Sequence, residues 1–196
     1  MKAMLRRREV VKTLLTERGE LLVVAGLGST AWDCTAAGDS ALTFPMWGAM
    51  GVAAMTGLGL ALAQPKRRVL VITGDGEMLM GLGTLATIGV QRPRNLGIAV
   101  IDNERYGETG MQASHTAHGV DLAAVARACG FQGARMVWRE SGLKAACRVL
   151  RTAPGPVLAQ IKVVAEKLPL ILPPREGALL KSRFRRAVQG PDADTV

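Results

Sequence analysis

The sequence predicts an α/β fold, a doubly wound parallel sheet with helices on both faces, in a single domain. Strand-like apolar runs alternate with segments of helical periodicity, which is the pattern of such sheets. The length of 196 residues favours one domain. Hydrophobic residues make up 48% and charged residues 21% of the chain, so it can bury a core and is not expected to be disordered.

Four apolar runs have the length and β-branched content of buried parallel strands. They are residues 20–25, 68–73, 96–102 and 157–163. A weaker fifth strand is predicted at 133–137. Helical periodicity fills the intervening segments, at residues 6–16, 48–63, 79–90, 122–129 and 141–151.

The C-terminal segment changes character at Pro173-Pro174. It is poor in core residues and rich in basic ones, namely Lys181, Arg183, Arg185 and Arg186. We therefore predict a domain over residues 1–172 and a basic C-terminal arm over 173–196, solvated and frayed at its end.

Neither membrane insertion nor secretion is expected. The uncharged stretch 40–65 is long enough to span a bilayer, but Pro45 and several glycines favour a buried helix packed closely against a neighbour. The N-terminal segment is basic and lacks the apolar run of a secretory signal. Cys34, Cys129 and Cys147 follow no metal-ligand spacing and are expected to be reduced thiols of a cytoplasmic protein.

Two short polar motifs follow two of the predicted strands. Gly74-Asp75-Gly76-Glu77 comes after 68–73, and Asp102-Asn103 closes 96–102. The 25 residues between Gly76 and Asp102 suffice for one helix and a returning strand. Because ligands of open α/β sheets bind beyond the carboxyl ends of the strands, we expect Asp75 and Asn103 to lie side by side there.

The side chains at these strand ends predict a magnesium and diphosphate site. The Asp75 carboxylate, the Asn103 amide and the Arg105 carbonyl offer the hard oxygen ligands that Mg²⁺ prefers, with phosphate oxygens completing its shell. The glycines on either side of Asp75 allow backbone N–H groups to face a diphosphate.

These motifs resemble the thiamin-diphosphate-binding domain of 2-oxoacid decarboxylases. The resemblance covers roughly residues 21–161, and its finer detail is similar to the sulfopyruvate and phosphonopyruvate decarboxylase branch. The segments that carry this closer likeness are GDGEMLMGLGTLATIG, IDNERYGETGMQ and VDLAAVARACGF. The resemblance implies thiamin diphosphate and Mg²⁺ as cofactors, and decarboxylation as the reaction.

The resemblance also implies roles for individual residues. Mg²⁺ would be bound by Asp75, Asn103 and the Arg105 carbonyl. The cofactor would be bound by Gly28, Ser29, Gly48, Met50, Gly74, Gly76, Glu77, Asn103, Arg105 and Tyr106. Met50 would hold the cofactor in its bent shape, and the Gly48 carbonyl would accept a hydrogen bond from its aminopyrimidine. Glu77 departs from the small residue of many relatives, so its carboxylate must turn away from the diphosphate.

Catalysis in this family also needs a glutamate on a separate pyrimidine-binding domain. The chain begins only about 20 residues before its first predicted strand, so the resemblance implies that an alpha-type partner subunit supplies that glutamate in an α2β2 or larger assembly. The substrate would be a small anionic 2-oxoacid. Within this chain His115 is the candidate catalytic residue, although it and His118 fit a solvated or capping loop equally well.

Two other functions remain open at this point. A carboligase of the acetolactate synthase type would share every cofactor residue named above. A nucleic-acid-binding module could use Arg6-Arg7-Arg8 and the basic arm, since the chain carries a net charge of +9. The arm has only Phe184 among its basic residues and no recognition motif, so nucleic acid is not the expected partner.

Overall fold

The computed structural model describes residues 5–190 and Ala193. Six strands form one sheet in the order β2-β1-β3-β4-β8-β7, and every neighbouring pair is parallel. They are β1 (Leu22–Ala25), β2 (Thr43–Pro45), β3 (Val69–Gly74), β4 (Leu96–Asp102), β7 (Gly133–Val137) and β8 (Val157–Lys162). A small antiparallel pair, β5 (Arg105–Tyr106) and β6 (Gln112–Ala113), follows β4.

Helices connect the strands and cover both faces of the sheet. They are α1 (Arg7–Leu15), α2 (Ser29–Ala36), α3 (Ala53–Ala63), α4 (Asp75–Met80), α5 (Thr84–Gln91), α6 (Leu122–Ala128), α7 (Glu140–Thr152) and α8 (Gly177–Gln189), with a 3₁₀ helix at His115–His118. None of the described helices is long and apolar enough to cross a membrane.

The core has two layers because successive strand residues point to opposite faces of the sheet. Leu70 and Ile72 of β3 pack with α1, α2 and α7 on one face. Val69 and Val71 of the same strand pack with α3, α5 and α6 on the other face. The predicted doubly wound parallel sheet is therefore confirmed.

The predicted helix bounds need correction on both sides of the candidate site. The helix expected at 48–63 begins only at Ala53, because Ala49 and Gly51 have positive φ values of 59° and 95° and form turns instead. The helix expected at 79–90 is two helices, α4 and α5, which are separated around Gly81.

The C-terminal segment is not the solvated arm that its composition predicted. Residues Gly177–Gln189 form helix α8, which contacts the edge strand β2. Leu180 is buried there, Phe184 packs on Phe44 with ring centroids 5.5 Å apart, and Arg183 forms an ion pair with Asp39. The prediction of a solvated arm was wrong because composition counts only how few apolar residues the segment has. In the fold these few residues contact the edge of the sheet. The arm was predicted to be frayed at its end, where residues 191–192 and 194–196 lie outside the described residues.

Candidate functional site

A cavity of about 200 Å³ lies at the carboxyl ends of β1, β3 and β4. It brings together most of the residues predicted for the site. The predicted residues in its wall are Ser29, Met50, Gly74, Asp75, Gly76, Glu77, Asn103, Arg105 and Tyr106. Gly28, Gly48 and His115 are not among its lining residues. Gly28 does pack against the side chain of Glu108, and Glu108 lines the cavity.

The register of the sheet explains why the two motifs meet. Gly74 at the end of β3 pairs with Ile101 near the end of β4, so Asp75 and Asp102 emerge at neighbouring strand ends. Asn103 then enters the same cavity as Asp75. The adjacency expected from the strand spacing is thus present in the fold.

Asp75 is a buried carboxylate held by two hydroxyl groups. It is 2% exposed, and its Oδ2 accepts a hydrogen bond of 2.5 Å from Ser114 Oγ. The Thr116 hydroxyl lies 3.3 Å from the same oxygen. Burial raises the pKa of Asp75 to about 6, against the opposing effect of the Ser114 hydrogen bond. A buried carboxylate at a cavity wall is a site that a bound cation would stabilise.

The loop after β4 is folded by its own polar side chains. Asn103 Oδ1 accepts the backbone N–H of Arg105 at 2.9 Å, and Asp102 Oδ1 accepts that of Glu104 at 3.0 Å. These two Asx-type turns bend the chain through Glu104, whose φ is +62°. They hold the Asn103 side chain and the Arg105 backbone at the cavity.

The carboxylate of Asp102 is fully buried, and two residues that the sequence analysis missed contact it. Gln160 donates a hydrogen bond to it, and Lys162 balances its charge. Asp102 Oδ2 accepts a hydrogen bond of 2.6 Å from Gln160 Nε2 and lies 2.9 Å from Lys162 Nζ. The Thr116 hydroxyl lies 2.8 Å from Asp102 Oδ1 and so connects Asp102 to Asp75. The only sequence signal was the pair of polar residues inside the apolar strand VLAQIK.

The Glu77 carboxylate points into the protein interior towards Thr73. This orientation fits the expectation that it turns away from a bound diphosphate. Glu77 Oε2 accepts a hydrogen bond of 2.7 Å from Thr73 Oγ1, and the residue is 5% exposed. A Cβ on Gly26 would lie 1.9 Å from that oxygen, so the carboxylate occupies the space that a larger residue would fill. Burial raises the pKa of Glu77, against the opposing effect of the Thr73 hydrogen bond.

Tyr106 connects the cavity to His115. Its ring lies against Gly76, where an added Cβ would be 2.6 Å from the ring, and its hydroxyl is 3.0 Å from His115 Nδ1. His115 itself is exposed at the start of the 3₁₀ helix. The structure therefore places His115, the predicted catalytic residue, outside the cavity wall and in contact with Tyr106, which lines that wall.

Arg7 is a cavity residue that sequence reasoning did not find. It lies on α1, is 5% exposed and donates from Nη1 to the Ser29 carbonyl at 3.2 Å and to Asp33 at 2.6 Å. In the sequence it belongs to a basic run that is typical of a solvated face, so no local signal distinguished it from Arg6 and Arg8.

The residues present fit a magnesium-bound diphosphate. The ligands predicted for the metal are one carboxylate (Asp75), one amide (Asn103) and one backbone carbonyl (Arg105), all hard oxygen ligands, and all three residues line the cavity. Among residues 5–190 and 193 no group of three or more His, Cys, Asp or Glu side chains forms an alternative metal site. A Cβ added to Gly74 would meet no atom within 4 Å, so the space beside it is open, whereas one added to Gly76 would lie 2.6 Å from the Tyr106 ring.

Comparison with known proteins agrees with this geometry. Residues 28–161 match the family model of the thiamine pyrophosphate enzyme C-terminal TPP binding domain. The chain is 35% identical to the sulfopyruvate decarboxylase subunit beta of Methanothermobacter thermautotrophicus, over 97% of this chain and 100% of that one. It is 39% identical to the corresponding subunit of Methanocaldococcus jannaschii over 64% of this chain and 66% of that one.

Longer proteins are also similar to the chain. Phosphonopyruvate decarboxylase of Streptomyces viridochromogenes is 37% identical over 89% of this chain, which spans only 44% of that enzyme. Among solved structures, benzoylformate decarboxylase from Polynucleobacter necessarius shares the fold with a TM-score of 0.70 at 21% identity, over 85% of this chain and 34% of that one.

Proposed function

This chain belongs to the thiamine pyrophosphate enzymes, as their C-terminal TPP binding domain, and we propose that it is the diphosphate-binding subunit of a 2-oxoacid decarboxylase. The observation that carries the proposal is the meeting of Asp75 and Asn103 in one cavity at the ends of β3 and β4. The similarity over the whole length of a sulfopyruvate decarboxylase beta subunit supports the same function.

In this proposal the chain binds and orients the cofactor. Asp75, Asn103 and the Arg105 carbonyl would hold Mg²⁺, while the main chain around Gly28-Ser29 and Gly74–Glu77 would hold the diphosphate. Met50 and Tyr106 would contact the rest of the cofactor from the cavity wall. When bound, thiamin diphosphate supplies a nucleophilic carbon for the 2-oxo group and an electron sink for the loss of CO₂.

We propose that a partner subunit completes the active site. The cavity wall includes Met50 and Met80, and Met80 is 63% exposed. Val52 and Met55, which follow Met50 in the chain, are exposed hydrophobic residues as well. A glutamate that faces the aminopyrimidine would come from the partner, in an α2β2 or larger assembly. His115 remains the candidate proton carrier of this chain, acting next to Tyr106.

The substrate in this proposal is a small anionic 2-oxoacid of the sulfopyruvate or phosphonopyruvate type, and the assembly is cytoplasmic. A nucleic-acid interface has less support, because four of the basic residues on which it depends are engaged in ion pairs within the fold. These pairs are Arg6–Glu166, Arg7–Asp33, Arg8–Asp33 and Arg183–Asp39.

The experiment is an assay of the chain alone and of the chain copurified with its partner subunit. We expect CO₂ release from a sulfonated or phosphonated 2-oxoacid only in the two-chain complex, and only with thiamin diphosphate and Mg²⁺. Turnover by the chain alone would contradict the shared active site. An added aldehyde acceptor distinguishes the carboligase, because a carboligase would consume the acceptor in proportion to the CO₂ released.

A further inference from the structure

The N-terminal helix contributes a cationic group to the cofactor site. We propose that Arg7 of α1 binds the diphosphate group directly, which rests on the proposed function and adds a residue to it. Arg7 lies outside residues 28–161, the part of the chain that matches the family domain. The contact would therefore be supplied by a segment that the domain itself does not include.

The position of Arg7 is the first argument. Arg7 lines the cofactor cavity and also a second cavity of about 230 Å³. Ser29 and Asn103 line both cavities as well. Arg7 thus lines the same two cavities as a residue proposed for the diphosphate and a residue proposed for the metal, and its Nη1 lies 3.2 Å from the Ser29 carbonyl oxygen.

The hydrogen bonding of Arg7 is the second argument. Only Nη1 is engaged, by the Ser29 carbonyl and the Asp33 carboxylate. A guanidinium has five N–H donors, so the donors on Nε and Nη2 make no hydrogen bond to any described residue. Because the side chain is buried and fixed at Nη1, these donors have a defined direction. A planar pair of such donors matches the oxygens of a phosphate group.

The local charge is the third argument. Asp33 is 1% exposed and faces two guanidinium groups, since Arg8 Nε lies 3.0 Å from its Oδ1. The group formed by Arg7, Arg8 and Asp33 therefore carries one excess positive charge, which faces a cavity whose wall also includes the carboxylates of Asp75, Glu77 and Glu108.

Two glutamates line the second cavity. Glu166 is paired with Arg6, and Glu108 is on the exposed segment at residues 107–110. Arg7 shares its carboxylate partner, Asp33, with Arg8, and a diphosphate would supply a second anion to the Nε and Nη2 donors of Arg7.

Arg8 provides a matched control. It binds the same Asp33 carboxylate and lies one residue away, but it does not line the cofactor cavity. Arg7→Gln and Arg8→Gln each remove one partner of Asp33, but only Arg7→Gln removes a hydrogen-bond donor from the cavity wall. A difference in cofactor affinity between the two variants therefore reports the contact rather than the ion pair.

The experiment measures thiamin diphosphate affinity in the presence of Mg²⁺, by calorimetry on the chain copurified with its partner subunit. We expect Arg7→Gln to weaken binding about tenfold or more, the usual effect of losing a hydrogen bond from a charged donor, and Arg8→Gln to change it less than about twofold. Inorganic pyrophosphate with Mg²⁺ serves as a second probe on the full chain. Thermal unfolding of each variant shows that it is folded.

Arg7→Lys keeps the test decisive if Arg7→Gln fails to fold. Lysine retains the charge without the planar pair of donors, so its affinity is expected to lie between those of the wild type and Arg7→Gln. Wild-type affinity in Arg7→Lys, or equal losses in Arg7→Gln and Arg8→Gln, would overturn the contact. Failure of the unaltered complex to bind thiamin diphosphate would instead overturn the proposed function together with it.

Discussion

Gly81 packs its Cα directly against the carbonyl of Gly51. A Cβ on Gly81 would lie 2.0 Å from that oxygen and 3.0 Å from its carbon, which leaves no room for a side chain. Gly81 ends α4, and Gly51 follows Met50 in the turn before α3. The contact therefore connects the end of the Asp75 helix to the turn that carries Met50 into the cavity.

Gly81→Ala is expected to displace this turn. Relief of the clash requires a backbone shift, so the free energy of unfolding should fall by about 1–3 kcal/mol, as in other overpacked sites. Thiamin diphosphate affinity should fall as well, because Met50 moves with the turn. Urea unfolding and calorimetry measure the two effects.

Gly83→Ala is the control for this prediction. Gly83 has ordinary right-handed backbone angles, and an added Cβ meets nothing within 4 Å. Stability is expected to stay the same or to rise by about 0.4–1 kcal/mol through the lower entropy of the unfolded chain. Equal stability of the two alanine variants would mean that the Gly51–Gly81 contact is not tight in solution.

The sequence predicted most strands well because their apolar runs are buried on both faces. The run at 96–102 coincides with β4, and the runs near β3 and β8 are correct to within one residue. Helix α2 and strand β2 were not predicted. The segment STAWDCTA mixes polar and small residues, and TFP is too short to form a recognisable run.

Apart from residues such as Met50 that the family resemblance implied, the candidate site was predictable only where its residues follow strands. Asp75 and Asn103 come directly after β3 and β4, so the topology alone brings them together. Arg7, Gln160 and Lys162 reach the same region from distant parts of the chain, through contacts that no local pattern encodes. The roles proposed for the individual site residues all stay predictions, and Gly28, Gly48 and His115 are not among the residues that line the cavity.

Lys162 is expected to be essential for stability because it neutralises Asp102. Lys162→Met leaves the fully buried Asp102 carboxylate with neutral partners only, Gln160 and Thr116 among the side chains. Breaking a buried ion pair in this way should lower the free energy of unfolding by about 3 kcal/mol or more. Urea unfolding at neutral pH measures the loss.

A second substitution tests the cause. Asp102→Asn in the Lys162→Met background removes the unpaired charge and should restore part of the lost stability. Lys144→Met on the exposed side of α7 serves as a control and should be close to neutral. A double variant no more stable than Lys162→Met would show that the charge of Asp102 is not the source of the loss.

The Cys34 thiol is expected to resist alkylation in the native protein. Burial raises the pKa of this thiol to about 12, although the nearby Arg18 opposes the shift. The reactive thiolate is therefore scarce at pH 8, and its fraction should rise about tenfold per pH unit until the pKa is approached. Iodoacetamide labelling followed by mass spectrometry should find Cys129, which is only partly buried, labelled first. Equal labelling of Cys34 and Cys129 at pH 8 would contradict the burial of Cys34.

Loss of either proposed metal ligand should abolish magnesium-dependent cofactor binding. Asp75→Ala removes the carboxylate, and Asn103→Ala removes both the amide and the turn that positions the Arg105 carbonyl. Changes to residues behind a metal ligand cost about 10- to 100-fold in affinity, so loss of a ligand should cost at least about 100-fold. Calorimetric titration of thiamin diphosphate with Mg²⁺ and with a chelator measures the dependence.

Asp39→Ala is the matched control for these two variants. It removes a carboxylate and its ion pair with Arg183, remote from the cavity, and should leave cofactor binding unchanged. Circular dichroism should show the native helix content in all three variants, because the sheet and its two core layers do not include these side chains. Wild-type affinity in both Asp75→Ala and Asn103→Ala would place the metal elsewhere, and a loss that is equal with and without Mg²⁺ would show that the two residues do not act through the metal.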